Sequence, residues 1–202
     1  MTIKRLIQVL FAVIVGPQMT ACDKAKTVTW EEEVSLNTGE TIVVRRSGTY
    51  TFKSEPGNPL KFDYLPDWRS TIEFNYKGKR YTHTDVVTLL LLAIRPDGIP
   101  VLLADPRRND WHWKNKYFCV TPYYVQFNPD STGAKWSWPE KIDSWLYQLP
   151  TNLVFGLPPI SSNGKRYLPI DQKKNNVAIT ESNREFERID STYSSNKCPP
   201  RS

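Results

Sequence analysis

Runs of apolar, β-branched and aromatic residues, some alternating with polar ones, recur between turn signals along the chain beyond residue 27, which predicts strands rather than helices. Val28 to Leu36 and Thr41 to Phe52 are rich in Val, Ile, Thr, Trp and Tyr and flank the turn signal Asn37-Thr38-Gly39-Glu40. They are expected to form a first hairpin. In its second strand Ile42 and Val44 alternate with Val43 and Arg45, the pattern of a half-buried strand. Residues 53–70 carry Pro56, Gly57, Pro59 and Pro66 and are expected to form a long loop. Thr71 to Tyr76 and Arg80 to Thr84 flank Lys77-Gly78-Lys79 as a second hairpin. Val86 to Ile94 is apolar for nine residues, ends at Arg95-Pro96-Asp97-Gly98, and returns as Ile99 to Ala104. This predicts a central hairpin whose first strand is buried on both faces. Tyr117 to Phe127 and Lys135 to Trp138 make a further strand pair, and Pro139-Glu140 opens a short helical turn that runs to Tyr147. The expected fold class is therefore mainly β, an antiparallel sandwich or partly open barrel with one short helical segment.

The two ends of the chain differ from this middle. From Thr151 onward Pro158-Pro159, Asn163-Gly164 and Pro169 punctuate an irregular stretch, and residues 171–202 are dominated by Lys, Asn, Ser and Glu. A polar, partly irregular C-terminal tail is expected there. At the other end Lys4 and Arg5 precede Leu6 to Val15, an apolar run broken only by Gln8, and Gly16-Pro17 follow. The run is too short for a bilayer, which needs about 20 apolar residues, and has the proportions of an export signal. Met19-Thr20-Ala21-Cys22 resembles the lipobox of bacterial lipoproteins. That resemblance implies cleavage after Ala21 and acylation of Cys22, with several acyl chains on one residue to make the anchoring stable. The alternatives are an ordinary cleaved signal or an uncleaved N-terminal helix. The expected organisation is a signal at 1–21, an anchor and linker at 22–27, a β-rich domain at 28–170, and the tail at 171–202. The expected location is the periplasm-facing cell envelope, with Asp23 favouring the inner membrane by the rule of enteric-type lipoproteins.

Composition narrows the partners. The chain of 202 residues suits one domain with a sizeable core. Lysine and arginine exceed aspartate and glutamate, 27 to 21, but the surplus is spread along the chain and is not a nucleic-acid footprint. The expected partners are the membrane, through the N-terminal acyl chains, and an envelope glycan or protein. The three cysteines are Cys22, Cys119 and Cys198. With Cys22 given to lipid, an even pair remains. Outside the cytoplasm Cys119 and Cys198 read either as a disulfide that ties down the tail or as two thiols.

A wider resemblance lies in Trp30-Glu31-Glu32-Glu33-Val34, Leu36, Gly39 and Ile42-Val43-Val44-Arg45-Arg46, with Cys119-Val120-Thr121-Pro122-Tyr123-Tyr124-Val125-Gln126-Phe127. These segments are similar to a group of small uncharacterised proteobacterial lipoproteins with a Trp-x-Glu-Glu-Val strand, a Gly turn and a Val-x-Arg-Arg strand. The similarity covers about residues 22–150. It implies an envelope location and a β-rich fold and carries no activity with it.

Motifs that would carry chemistry are few. His83 and His112 are far apart, lack metal-ligand spacing and are expected at the surface. Ser-x-x-Lys occurs at 162–165 and 194–197 without the helix or companion boxes that would make it catalytic. Glu31, Glu32 and Glu33 are expected on a solvated edge strand, where charge blocks edge pairing. The strongest candidate surface is Asp105 to Lys116, where Arg107, Arg108 and Lys114 surround Trp111 and Trp113. Rings with nearby cations suit sugars and acidic groups, although tryptophans so placed also pack cores. Trp136 and Trp138 repeat the spacing, one face of a strand. No catalytic residue, metal or cofactor is assigned. The expected function is a non-enzymatic interaction or accessory module of the cell envelope. The alternative is an envelope-polymer hydrolase or transferase whose site carries no recognisable motif.

Overall fold

Period-two patterning and turn chemistry place the strands in two facing layers. The structure is a computed structural model and describes residues 25–55, 57–106, 117, 121–154, 166–175 and 188–193. The first layer holds β1 (Ala25–Ser35), β2 (Thr41–Glu55), β3 (Asn58–Tyr76), β4 (Lys79–Asp85) and β9 (Tyr167–Leu168) in the order β4-β3-β2-β1-β9. The second holds β5 (Thr88–Ile94), β6 (Pro100–Asp105), β7 (Val125–Pro129) and β8 (Trp136–Ser137) in that order. All pairs are antiparallel except β1 with β9. The protein is thus mainly β, in two sheets that do not close into a barrel. A single turn of 3-10 helix (Ser144–Leu146) and one short helix, α1 (Ile170–Asn175), complete the described elements.

The turns follow from local sequence. Leu36 N donates to Glu40 O at 2.8 Å across Asn37–Glu40, with Gly39 at φ +88. Lys77 and Gly78 both have positive φ, as the two-residue hairpin turn that matches strand twist requires. The expected loop over 53–70 is instead strand, because β2 and β3 continue as a paired hairpin to Glu55 and Asn58. The prolines are tolerated for a physical reason. β4 reaches β3 only from Ser70 onward, so among the described residues the earlier part of β3, with Pro59 and Pro66, pairs with β2 on one side, and an edge position does not need every N–H. The expected strand from Tyr117 shortens to Val125–Pro129, because Tyr123 N donates to Tyr193 O, outside the sheet, at 2.8 Å.

The inner faces meet in a core of Val34, Val44, Ile72, Phe74, Leu89, Leu92, Leu102, Ala104 and Phe127. All seven residues of β5 and all six of β6 are buried. Burial on both faces is as expected for β5, and its cause lies far along the chain. Leu91, Ala93, Val101 and Leu103 pack outward against Ile142, Leu146 and Ile189. Ile189 comes from the segment expected to be a polar tail. Its N–H donates to Leu149 O at 3.0 Å, and Gln148 N donates to Ile189 O at 2.9 Å.

β5 is also an outer strand of its sheet, and its free edge is closed by two asparagines. Asn37 Nδ2 donates to Ile94 O at 2.9 Å and its Oδ1 accepts Ile94 N at 2.7 Å. Asn152 treats Leu92 in the same way, at 2.8 and 2.9 Å, and also donates to Ser35 O. Each amide mimics a neighbouring strand.

Candidate functional site

Residues of even number in β1 and β2 face the core, and this parity carries charge inward. Trp30, Glu32, Val34, Val44 and Arg46 are all buried. Glu32 is not solvated as expected; it is wholly buried, because β9 covers that side of β1 and the parity of Glu32 is that of Trp30 and Val34. Its carboxylate accepts from Arg46 Nη1 at 2.8 Å, Lys173 Nζ at 2.7 Å and Val154 N at 3.1 Å. Arg46 Nη1 also donates to Val154 O at 2.7 Å, and Lys173 Nζ to Asn152 O at 2.9 Å. Two cations share one buried carboxylate. Burial holds the Lys173 ammonium below the usual lysine range, against the opposing pull of Glu32. Glu33, on the other face, accepts from Tyr167 Oη at 2.6 Å and Ile170 N at 3.0 Å. The Tyr167 hydroxyl, then Ile170 N–H, hold Glu33 below the usual carboxylate range, while the same carboxylate pushes Tyr167 up to about 12.

Beside this cluster the ladder between β2 and β3 is interrupted. Gly48 lies opposite Ser70, but the next pair is Tyr50 with Pro66, so Thr49 and residues 67–69 drop out of register. Such a bulge re-aims side chains. The row Val28, Gly48, Ser70 and Asp85 puts two small residues side by side in its middle. A pocket of about 90 Å³ opens there, lined by Trp30, Arg46, Gly48, Tyr50, Arg69, Thr88 and Val154 among others. A methyl group on Gly48 would stand 3.4 Å from the Tyr50 ring. The Arg46 guanidinium lies 5.1 Å from the centre of the Trp30 ring. Trp30 Nε1 and Arg46 Nε are buried and have no acceptor among the described residues. Burial pushes the Tyr50 phenol above its ordinary range, opposed by Arg166 and then Arg46. Ser70 Oγ is held by donation to Val87 O at 3.2 Å. Asp85, on the neighbouring strand, accepts from Val86 N at 2.7 Å and Tyr117 Oη at 2.6 Å. Burial and this carboxylate push the Tyr117 phenol far above its usual range.

The residues picked from sequence fare unevenly. Cys22, Cys119 and Cys198 lie outside the described residues, as do Arg107, Arg108, Trp111, Trp113, Lys114, His112 and both Ser-x-x-Lys segments. His83 is not at the surface. It is 6% exposed, with its ring 4.3 Å from Phe127 and 5.3 Å from Trp136, because it shares the inward parity of Tyr81. Trp136 and Trp138 both pack against the core, and Trp136 Nε1 donates to Thr82 O at 2.7 Å. The pocket residues went unnoticed in sequence. The available signal was a Glu and an Arg at core-facing parity, with a glycine inside a strand pattern.

Among the described residues no group of three or more His, Cys, Asp and Glu could hold a metal ion, and no helix is long and apolar enough to cross a membrane. Comparison with protein-family models, curated proteins and solved structures gives no match.

Proposed function

We propose that this chain is a cell-envelope lipoprotein, exported under residues 1–21, acylated at Cys22 and acting as a non-enzymatic binding module held at the membrane. The observation that carries the reading is the order of segments in the sequence: Lys4-Arg5, the apolar run Leu6 to Val15, then Met19-Thr20-Ala21-Cys22, three positions before the first residue of β1, Ala25. Three residues span about 10 Å at most, so an acylated Cys22 keeps the start of β1 beside the lipid headgroups. The β2–β3 hairpin continues past Ala25, which faces Thr51, and carries the exposed Phe52 and Lys53 there. An aromatic ring beside a long cationic side chain suits the zone between headgroups and water. The pocket gives no support to turnover: the one hydroxyl beside the bulge on β3, Ser70 Oγ, is turned to a backbone carbonyl instead of a base.

Metabolic labelling with a clickable fatty acid, followed by membrane fractionation, tests the anchor. Cys22→Ser is expected to lose the label and leave the membrane fraction. Membrane retention of an unlabelled wild-type chain overturns the lipoprotein reading. Turnover of a peptidoglycan or ester substrate by the purified protein overturns the binding-module reading.

A further inference from the structure

We propose that residues 166–175, β9 and α1, form a detachable strap over the edge of β1, and that the strip beneath it is a docking site for an extended basic peptide segment of a partner. The strap is lightly held. Among the described residues β9 meets β1 only at Glu31–Tyr167 and Glu32–Leu168, whereas β1 pairs with β2 along its whole length. Of the strap's described side chains only Leu168 is buried, and it packs with Val154 in a small cluster apart from both main cores. The other ties are polar. Tyr167 Oη and Ile170 N donate to Glu33 on the outer side of β1, and Lys173 Nζ donates to Glu32 on the inner side and to Asn152 O. Segments with little buried apolar surface and few backbone bonds open before the rest of a domain. Opening also rehydrates Lys173, whose burial works against its charge. It leaves Glu32 with Arg46 and the Val154 N–H, so the sheets keep their own ties when the strap lifts.

What the strap uncovers has a defined chemistry. The Glu31 N–H, which donates to Arg166 O at 2.9 Å, becomes available at the strand edge. Val154 loses Leu168 and offers an apolar seat. Glu32 and Glu33 stand one on each face of the same edge. Glu31, Glu32 and Glu33 face Arg45 and Arg46 on β2, and Glu73, next along the outer face, is held by Arg80. With the strap away, carboxylates are in excess on this strip among the described residues, which favours a cationic guest. The strap shows the pattern that fits: two extended residues beside β1, an apolar side chain at Leu168, and a cation five positions on, at Lys173. Its sequence carries Arg166, Lys173 and Lys174 against one acid, Asp171. An extended segment added to a sheet edge takes affinity from main-chain bonds and selectivity from its side chains. A partner segment with this pattern therefore competes with the strap for one place.

The 15N-labelled full chain, purified in mild detergent, is followed first by amide hydrogen exchange. The N–H groups of Ile170, Lys173 and Glu31 are bonded to or within the strap. They are expected to exchange together, about tenfold or more faster than the amides of β6. Tyr167→Phe removes a bond that only the strap makes, at a residue 38% exposed. It is expected to speed all three by a common factor of about three or more and to leave β6 unchanged. Docking is then read by NMR titration of Leu168→Ala, whose strap has lost its buried side chain, with a synthetic peptide of residues 166–175 and with the Lys173→Glu version of that peptide. Saturable shifts of the Glu31, Glu32 and Glu33 amides are expected, with the Lys173→Glu version bound about fivefold or more weakly. Tyr167→Phe receives the same titration, so the test stands if Leu168→Ala fails to fold. Strap amides as protected as those of β6, amides that respond to Tyr167→Phe separately, no saturable binding of the peptide, or equal binding of its two versions overturns the proposal. Sedimentation of the wild type as a dimer that Lys173→Glu abolishes would put a second copy in the partner's place and overturn it too. Neither readout depends on acylation of Cys22, so the strap and the anchor stand or fall separately.

Discussion

Arg46 Nη1 lies 2.8 Å from Glu32 Oε1, yet the two residues are not partners in the strand ladder. Arg46 is opposite Trp30, and Glu32 is opposite Val44. The ion pair is a diagonal across the inner face of the sheet, and the diagonal leaves the Trp30 ring free to lie beside the guanidinium.

Glu32 pairs with two cations, whereas Arg46 pairs with one carboxylate and a backbone carbonyl, so the two halves of this pair should be unequal in stability. Glu32→Leu leaves Arg46 buried without its ion-pair partner, Lys173 half-buried with only the more distant pull of Glu33, and Val154 N–H without its acceptor. A loss of about 3–5 kcal/mol is expected. Arg46→Leu leaves Lys173 still paired with Glu32, and the loss is expected to be the smaller. Urea unfolding of the two variants measures both. A loss for Arg46→Leu as large as that for Glu32→Leu would show that Lys173 does not compensate.

The Glu33–Tyr167 bond makes a pH prediction with a defined sign. The folded state holds Glu33 below its ordinary value, so its contribution is present above that value and is lost as pH falls through the lowered one. The folded state holds Tyr167 at about 12. Its contribution is present below the ordinary tyrosine value and is lost as pH rises through about 12. Tyr167→Phe removes the tyrosine effect and weakens the carboxylate one, leaving Ile170 N and the Lys173 charge to act on Glu33. The midpoint of Glu33, followed by NMR of its side-chain carboxyl carbon, should rise in Tyr167→Phe. An unmoved midpoint would assign the shift to Ile170 and Lys173.

Asn37 and Asn152 should matter beyond their size. Replacing either with alanine bares the N–H and C=O of Ile94 or of Leu92 on the outer edge of β5. Each loss is expected to cost about 1–3 kcal/mol. The double variant exposes the open edge of an apolar strand, and should become turbid on mild heating at temperatures where the wild type stays clear. A double variant that unfolds at lower urea but stays soluble would mean that another segment guards that edge.

What could be read in the sequence was what depends on near neighbours. Alternation around Asn37–Glu40 located β1 and β2, and Arg95-Pro96-Asp97-Gly98 located the turn between β5 and β6. Prolines misled at 53–70, because their meaning depends on whether a strand has one neighbour or two. Ile189 looked like an isolated apolar residue in a polar stretch; its burial against Leu91 and Val101 is a contact no local pattern announces. Glu32 looked solvated as one of three glutamates, and only the parity it shares with Trp30 and Val34 marks it as inward. Lys173 gave no signal, since its partner stands on the first strand of the domain.

That last separation bears on the order in which the molecule can be made. Glu32 and Arg46 leave the ribosome early, the backbone of Val154 that they share comes 108 positions after Arg46, and Lys173 comes later still. Until those parts arrive, burying Glu32 and Arg46 would leave them with each other and without Val154 and Lys173, so the opening hairpin has little reason to settle on its own. Such non-local closure slows folding. A chain that stays loose until its last third has been synthesised is also one that can be threaded through a translocation pore, the route proposed above for this chain.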